Sequence, residues 1–135
     1  MNSPLGSNSP PRSSVDVLVV DDDAGLRSTW TEILRGSGYT VAVAEDGEVA
    51  LRFLDERSVG VVLLDLRMPR RDGLSVLEAL VAPQVVVLVS AYSLDEATRA
   101  RVDAKVVTYL EKPVPPERLL GTVATALGRF RVDGT

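Results

Sequence analysis

The sequence contains no cysteine and no histidine among its 135 residues. Without cysteine, the chain can form neither a disulfide framework nor a thiolate metal site. Without histidine, it lacks the commonest general base and the commonest ligand of transition metals. Any bound metal should therefore be a hard cation, such as magnesium or calcium, that is held by oxygen atoms.

Long apolar runs and strong charge are missing as well. No apolar run approaches the length of a membrane span, and no basic segment followed by an apolar stretch opens the chain. We therefore expect a cytoplasmic protein without membrane contact. The net charge of −4 is too mild to predict binding of nucleic acid. Apolar residues make up 45% of the chain, which is enough for one packed domain.

The composition changes along the chain. Residues 1–14 are rich in serine, proline, asparagine and glycine, which is typical of a disordered leader. Regular patterning follows, so we assign residues 15–129 to one domain and residues 130–135 to a C-terminal tail.

Apolar segments alternate with amphipathic ones in the patterned part of the chain. Strands are predicted at residues 15–20, 39–44, 59–64, 85–89 and 106–110. Helix starts are predicted at Asp22 or Asp23, at Asp46, after the Met68-Pro69 loop, at the capping box Ser93–Glu96 and at Pro115-Pro116. This alternation predicts an α/β fold with a parallel sheet, helices on both faces and right-handed crossovers.

Polar residues directly follow four of the predicted strands. Three aspartates, Asp21–Asp23, follow the first strand, and Asp65 ends the third. Ser90 follows the fourth strand, and Lys112 comes shortly after the fifth. Open α/β sheets bind ligands along the edge where the carboxyl ends of parallel strands meet. We therefore expect these groups to converge on one edge of one sheet.

Several carboxylates at one edge would repel each other. A divalent cation held by Asp21, Asp22 and Asp65 would remove that conflict, and magnesium suits such oxygen ligands. The simpler alternative is that Asp22 and Asp23 only cap a helix while Asp21 is solvated.

The combination of carboxylate, metal, hydroxyl and ammonium group indicates phosphoryl chemistry. Asp65 could attack phosphorus and form an aspartyl phosphate, with Ser90 contacting the phosphoryl group and Lys112 pairing with it. No residue is an obvious base for the activation of water. Turnover should therefore be slow, which suits a switch better than a hydrolase.

These residues stand within longer motifs, and the motifs occur at Val19–Asp23, Leu64–Gly73, Ser90–Tyr92 and Tyr109–Pro113. On these motifs, the segment from Val15 to about Gly128 resembles the receiver domain of bacterial two-component response regulators. The resemblance implies a doubly wound, flavodoxin-like sheet of five strands in the order 2-1-3-4-5, with five helices. It also implies that Asp65 is phosphorylated by a sensor histidine kinase, a phosphotransfer protein or a small phosphodonor.

The resemblance further implies a metal site and a non-enzymatic role. Mg²⁺, with Mn²⁺ as an alternative, would be held by Asp22, Asp65 and the backbone carbonyl of Arg67, with Asp21 assisting through water. The domain would then be a phosphoacceptor with at most slow self-phosphorylation and self-dephosphorylation. Its output partner or output domain is not indicated by the sequence.

A conformational switch is implied as well. Ser90 would move toward the phosphoryl group, and Tyr109 would turn inward to fill the vacated space. The face formed by the fourth helix, fifth strand and fifth helix would then change and bind a partner, or a second copy in a homodimer. The Lys112–Pro113 peptide bond would be cis.

Three features depart from the usual pattern of the family or extend it. The small Gly-Ala pair expected before the switch aromatic is replaced by Lys105-Val106. Arg67 stands two residues after Asp65, and Tyr92 stands two residues after Ser90. Both side chains are bulky and would flank the path of attacking water, which predicts a long-lived phosphoryl group. Alternatively, both simply project into solvent.

Three other functions compete with this interpretation. A haloacid dehalogenase-type phosphatase would account for Asp21, Asp23, Ser90 and Lys112, but that family also needs an acidic pair after the lysine. A flavodoxin-like cofactor binder would need a Ser/Thr/Gly-rich phosphate loop, where this chain has aspartates. A degenerate receiver that serves only as a phosphorylation-independent interaction module is the third alternative.

Overall fold

A computed structural model describes residues 14–68, 72–80 and 83–134, the last six of these as backbone. The predicted leader lies outside the described residues, apart from Ser14, which begins the first strand.

Strands and helices alternate strictly along the described residues, as predicted. The strands are β1 (Ser14–Val20), β2 (Val41–Ala44), β3 (Ser58–Asp65), β4 (Val86–Ser90) and β5 (Thr108–Glu111). The helices are α1 (Ala24–Gly36), α2 (Gly47–Glu56), α3 (Gly73–Ala79), α4 (Glu96–Val102) and α5 (Pro116–Gly134).

The five strands form one parallel sheet in the order β2-β1-β3-β4-β5, which confirms the predicted order. Parallel strands need crossover connections, which here are helices. These helices pack on both faces of the sheet and cover them. The register aligns the strand ends, because Val20 lies opposite Leu64 and Ser90 lies opposite Glu111. Residues that end or follow these strands are therefore brought to one edge.

The core has two parts, one on each face of the sheet, because successive side chains of a strand point to opposite faces. One part lies under α1 and α5 and includes Val17, Val19, Trp30, Leu34, Val61, Leu63, Leu119 and Val123. The other lies under α2, α3 and α4 and includes Leu18, Val20, Ala50, Val62, Leu64, Val76, Leu77 and Val102. Each fully buried aliphatic side chain stabilises the fold by about 1.5–3 kcal/mol.

Four helices begin at an aspartate whose carboxylate accepts a backbone N–H of the first turn. These caps are Asp23, Asp46, Asp72 and Asp95. The predicted capping box at Ser93 is wrong, since α4 begins two residues later and Thr98 donates its N–H to Asp95 at 2.8 Å. Aspartate is at least as favourable as serine at the N-cap position, and the helix begins after the later of the two residues.

The C-terminal end differs from the expectation of a tail. Helix α5 continues to Gly134, so the predicted tail of residues 130–135 overlaps its last turns. None of the helices within the described residues is long and apolar enough to span a membrane.

Candidate functional site

The carboxyl edge of the sheet gathers four of the predicted site residues. Asp65 and Ser90 are the last residues of β3 and β4, Asp21 directly follows β1, and Lys112 directly follows β5. The hydrogen-bond ladder continues past the strands, because Lys112 donates its backbone N–H to the Ser90 carbonyl at 2.8 Å. Asp21, Asp65 and Ser90 are all at least 93% buried. The edge is therefore a shielded polar site.

Lys112 joins the two buried carboxylates. Its Nζ lies 2.8 Å from Oδ2 of Asp21 and 3.6 Å from Oδ1 of Asp65. The peptide bond that follows, between Lys112 and Pro113, is cis, as the resemblance implied. The ammonium group thus stands next to the carboxylate that was predicted to be the nucleophile.

The charges of the site shift its pKa values. Burial, together with the negative charge of Asp21, raises the pKa of Asp65 to about 6, although Lys112 and the Arg67 N–H oppose the shift. Burial alone would lower the pKa of Lys112, but its hydrogen bond to Asp21 and the charges of Asp21 and Asp65 raise it overall. Lys112 therefore stays positively charged. Asp65 binds a proton at pH values near its pKa, and a metal cation bound at the site would compete with that proton.

The three aspartates after β1 have separate tasks. Asp21 is held in place by the N–H of Asp23 at 2.9 Å and by Lys112. Asp23 caps α1 by accepting the N–H of Leu26 at 3.2 Å, which decides between the two predicted caps. Asp22 is exposed, and one of its carboxylate oxygens lies close to those of Asp21 and Asp65. The alternative in which Asp22 and Asp23 only cap the helix is therefore confirmed for Asp23 and wrong for Asp21, which is buried and not solvated.

Asp21, Asp22 and Asp65 form a cluster that could hold a metal ion. One carboxylate oxygen from each lies within 4.8 Å of the other two. Three convergent oxygens, one of them from an exposed residue, fit a hard cation that keeps water ligands, such as Mg²⁺. Arg67 donates its backbone N–H to Oδ1 of Asp65 at 3.4 Å, so the main chain directly after β3 lies beside the cluster. That the Arg67 carbonyl joins the ligands stays a prediction.

Gly73 allows the start of α3 to lie against the end of β3. A Cβ atom at this position would lie 2.5 Å from the Asp65 carbonyl oxygen and 2.9 Å from the Leu66 Cα. The Gly73 N–H donates to the Leu66 carbonyl at 2.9 Å. Only glycine permits so close an approach between the start of α3 and the end of β3.

Ser90 is engaged by its own loop. Its hydroxyl donates to the Tyr92 carbonyl at 2.7 Å and accepts the Tyr92 N–H at 3.1 Å. The Tyr92 ring is 64% exposed, and the Arg67 guanidinium carbon lies 5.3 Å from its centroid. The two bulky residues are thus in cation–π contact with each other while both remain exposed, and their effect on the lifetime of a phosphoryl group stays a prediction.

Tyr109 lies further along the sheet, against α4. Its half-buried side chain donates its hydroxyl to the Asp103 carboxylate, and the Arg99 guanidinium carbon lies 4.7 Å from the ring centroid. Burial, followed by the hydrogen bond to Asp103, raises the pKa of Tyr109 to about 12. The tyrosine is therefore neutral and bound to α4 in this structure.

The unusual Lys105-Val106 pair gives α4 further contacts. The Lys105 backbone N–H donates to the Val102 carbonyl at 2.8 Å, and Nζ approaches the Leu77 carbonyl at 3.4 Å. Arg101 also pairs with Glu78 at 2.5 Å. The end of α4 is thereby connected to α3.

Sequence reasoning missed two contributors to this region. Arg27 donates to the Asp21 carbonyl at 2.7 Å, and its place on the first turns of α1 was the only sequence signal. Asp103 was missed because no motif marks it, although it stands six residues before Tyr109.

Comparison with known proteins decides the family. A family model described as the response regulator receiver domain matches residues 17–124. The chain belongs to this family. It is thus a receiver domain of the kind found in two-component response regulators, which separates it from the haloacid dehalogenase-type phosphatases and the flavodoxin-like cofactor binders.

Relatives of the receiver are mostly longer proteins. The transcriptional regulatory protein ZraR of Salmonella typhimurium is 36% identical over 126 residues, which are 91% of this chain and 29% of that protein. PdtaR of Mycobacterium tuberculosis, also a transcriptional regulatory protein, is 31% identical over 118 residues, 85% of this chain and 58% of that protein. The receiver thus spans less than two thirds of either relative.

Solved structures support the same assignment. A CheY-like response regulator receiver domain protein from Methanospirillum hungatei superimposes with a TM-score of 0.79 at 30% identity, covering 86% of this chain and 96% of that one. The receiver domain of the Francisella response regulator 1452 gives a TM-score of 0.78 at 28% identity, covering 85% and 98%.

Proposed function

We propose that this receiver accepts a phosphoryl group on Asp65 in a Mg²⁺-dependent reaction and thereby changes the face formed by α4, β5 and α5. The observation that carries the proposal is the position of the Lys112 ammonium group between Asp21 and Asp65, beside three carboxylates that could hold a cation. A site that is acidic, cationic and buried in this way suits charge-balanced phosphoryl transfer.

The transfer is a displacement at phosphorus. An Asp65 oxygen forms a bond to phosphorus as the bond to the donor breaks, and the donor leaves as a histidine side chain of a kinase or phosphotransfer protein, or as acetate from acetyl phosphate. A bound Mg²⁺ would neutralise charge on the phosphoryl oxygens. Lys112 pairs with one of these oxygens and so exchanges part of its contact with Asp21 for the new anion. Because the pKa of Asp65 is about 6, its carboxylate is mostly ionised at neutral pH and can act as the nucleophile.

The phosphoryl group then selects between two arrangements of the domain. Ser90 gives up its two hydrogen bonds to Tyr92 and donates its hydroxyl to a phosphoryl oxygen instead. Tyr109 turns into the space that Ser90 leaves, and the α4-β5-α5 face changes with it. An output partner, an output domain or a second copy of the receiver would recognise that face.

The modification should be long-lived, so the protein acts as a switch and not as an enzyme. The Arg67 guanidinium group lies over the Tyr92 ring, and we expect this pair, two residues beyond Asp65 and Ser90, to hinder the approach of water to Asp65. Neither residue is a base that could activate that water. We place the protein in the cytoplasm, where kinase and phosphodonor are available.

The test is mass spectrometry of the intact protein after incubation with acetyl phosphate, with and without Mg²⁺. The mass should increase by one phosphoryl group only with Mg²⁺, and Asp65→Asn should remain unmodified. A chromogenic phosphate ester should not be hydrolysed. Modification of Asp65→Asn, or steady ester hydrolysis by the wild type, would contradict the proposal.

A further inference from the structure

Two side chains at the end of α4 hold Tyr109 in its present position. Asp103 accepts the tyrosine hydroxyl, and Arg99, one helical turn earlier, lies over the face of the ring at 4.7 Å. Together they contact both the polar end and the π-face of the same residue. A rotation of the ring toward Ser90 would have to break both contacts.

Helix α4 has contacts of its own that are independent of Tyr109. Val102 is 1% exposed and packs in the core under α2, α3 and α4. Arg101 is paired with Glu78 of α3, and Lys105 reaches the Leu77 carbonyl at the end of the same helix. These contacts to α3 do not involve Tyr109, so a rotation of the ring does not by itself carry Asp103 and Arg99 along with it.

We propose that Asp103 and Arg99 form a latch that holds Tyr109 against α4 and opposes phosphoryl binding at Asp65. The proposal rests on the proposed function, since it concerns the regulation of the same site. A ligand that binds only one of two arrangements has its apparent affinity reduced by the fraction of molecules in that arrangement. The latch lowers that fraction, so it sets how much phosphoryl donor the receiver needs before it responds.

The hydrogen bond can be removed from either side with little damage to the fold. Asp103→Ala removes the acceptor at the residue that caps the C-terminal end of α4, where a negative charge is unfavourable for the helix. Tyr109→Phe removes only the hydroxyl and keeps the ring. Glu96→Ala is the matched control, because it removes a carboxylate from the first turn of the same helix, at the end opposite to Asp103.

The experiment titrates each full-length protein with beryllofluoride, a phosphoryl mimic, at saturating Mg²⁺ and measures the bound fraction by ¹⁹F NMR. Asp103→Ala and Tyr109→Phe should each bind about threefold to tenfold more tightly than the wild type. The double variant should bind no more tightly than either single variant, because the same hydrogen bond is lost in all three. Arg99→Gln should also tighten binding, and Glu96→Ala should not.

The possible results separate the two proposals. Tighter binding cannot arise from structural damage, so it supports the latch. Unchanged or weaker binding by Asp103→Ala and Tyr109→Phe, or additive effects in the double variant, overturns the latch while the proposed function stands. If the wild type binds no beryllofluoride, or if Asp65→Asn binds it equally well, the proposed function fails and the latch fails with it.

Discussion

Lys112 and Asp21 stand 91 residues apart in the chain, yet the Lys112 ammonium group lies 2.8 Å from the Asp21 carboxylate. Asp21 is 2% exposed, so this ion pair is largely withdrawn from water. A buried carboxylate needs such a partner, because an unpaired charge in the interior is costly. The same lysine also lies near Asp65, so one side chain contributes both to folding stability and to the proposed phosphorylation of Asp65.

Removal of the Lys112 side chain should lower both the stability of the fold and the phosphorylation of Asp65. Lys112→Met leaves Asp21 without its cation, and we expect the free energy of unfolding to fall by about 1–3 kcal/mol in urea titrations. Phosphorylation of Asp65 by acetyl phosphate should fall to background. Lys105→Met, which removes an exposed lysine outside the site, should still be phosphorylated. A Lys112→Met protein that is modified at the wild-type rate would exclude a role for this ammonium group.

The raised pKa of Asp65 predicts a pH dependence of stability in the absence of metal. The folded carboxyl titrates at about 6 and the unfolded one near 3.8, so the folded state binds more protons between these values. Stability from this group is therefore present below pH 4 and is lost as the pH rises to 6, by about 2–3 kcal/mol. Asp65→Asn should lack this loss. The measurement is the difference between wild-type and variant unfolding free energies across pH 4–7, and a constant difference would contradict the prediction.

Mg²⁺ should stabilise the folded protein through the aspartate cluster. A ligand present at one hundred times its dissociation constant raises the unfolding free energy by about 2.7 kcal/mol. The melting temperature should therefore rise with added Mg²⁺, and Asp22→Asn should abolish the rise. Asp23→Asn is the matched control, because asparagine also caps helices and Asp23 lies outside the cluster. Equal Mg²⁺ responses of the two variants would argue against the site.

The Arg67–Tyr92 stack should control the lifetime of the phosphoryl group. Opening the approach to water with Arg67→Ala, Tyr92→Ala or both should speed dephosphorylation, by about tenfold for the double variant. Because the two side chains contact each other, the single effects should not add. Arg67→Lys, which keeps the charge without the planar stacking group, separates steric cover from charge. Decay of the phosphorylated mass after removal of the donor is the measurement, and an unchanged rate in the double variant would refute the idea.

Gly73 should be intolerant of any side chain. Gly73→Ala places a methyl group 2.5 Å from the Asp65 carbonyl oxygen, so the backbone must shift at a cost of about 1–3 kcal/mol. Gly121→Ala, on α5 with nothing within 4 Å of the added Cβ, should instead stabilise the protein by about 0.5–1 kcal/mol. Urea unfolding of both variants measures this difference in unfolding free energy. Equal stability of Gly73→Ala and wild type would contradict the prediction.

Much of the fold and site could be predicted because the relevant signals are local. Continuous apolar runs such as the one before Asp65 suit strands that are buried on both faces, and polar residues at their ends then meet at one edge. Asp21, Asp65 and Lys112 were placed correctly by this reasoning alone. The start of α4 was misplaced because Ser93 and Asp95 offer competing caps, and their competition depends on the surrounding chain.

The contacts of the side chains at the site could not be predicted in the same way. Nothing in the sequence indicates that Arg67 stacks on Tyr92, or that Asp103 accepts the Tyr109 hydroxyl. These contacts join different loops, or a helix and a strand, and so depend on the tertiary arrangement. The end of α5 was also misjudged, because the residues after Gly128 contain no strong helix stop before Gly134.

The way Ser90 is held has a consequence for the speed of signalling. Its main chain accepts the N–H of Lys112 in the ladder, whereas its hydroxyl makes two hydrogen bonds to Tyr92. Releasing the hydroxyl needs a side-chain rotation and a small loop adjustment, and motions of that size take nanoseconds to microseconds. We therefore expect the response time of this protein to follow the arrival and departure of the phosphoryl group, with no delay from rearrangement of the sheet.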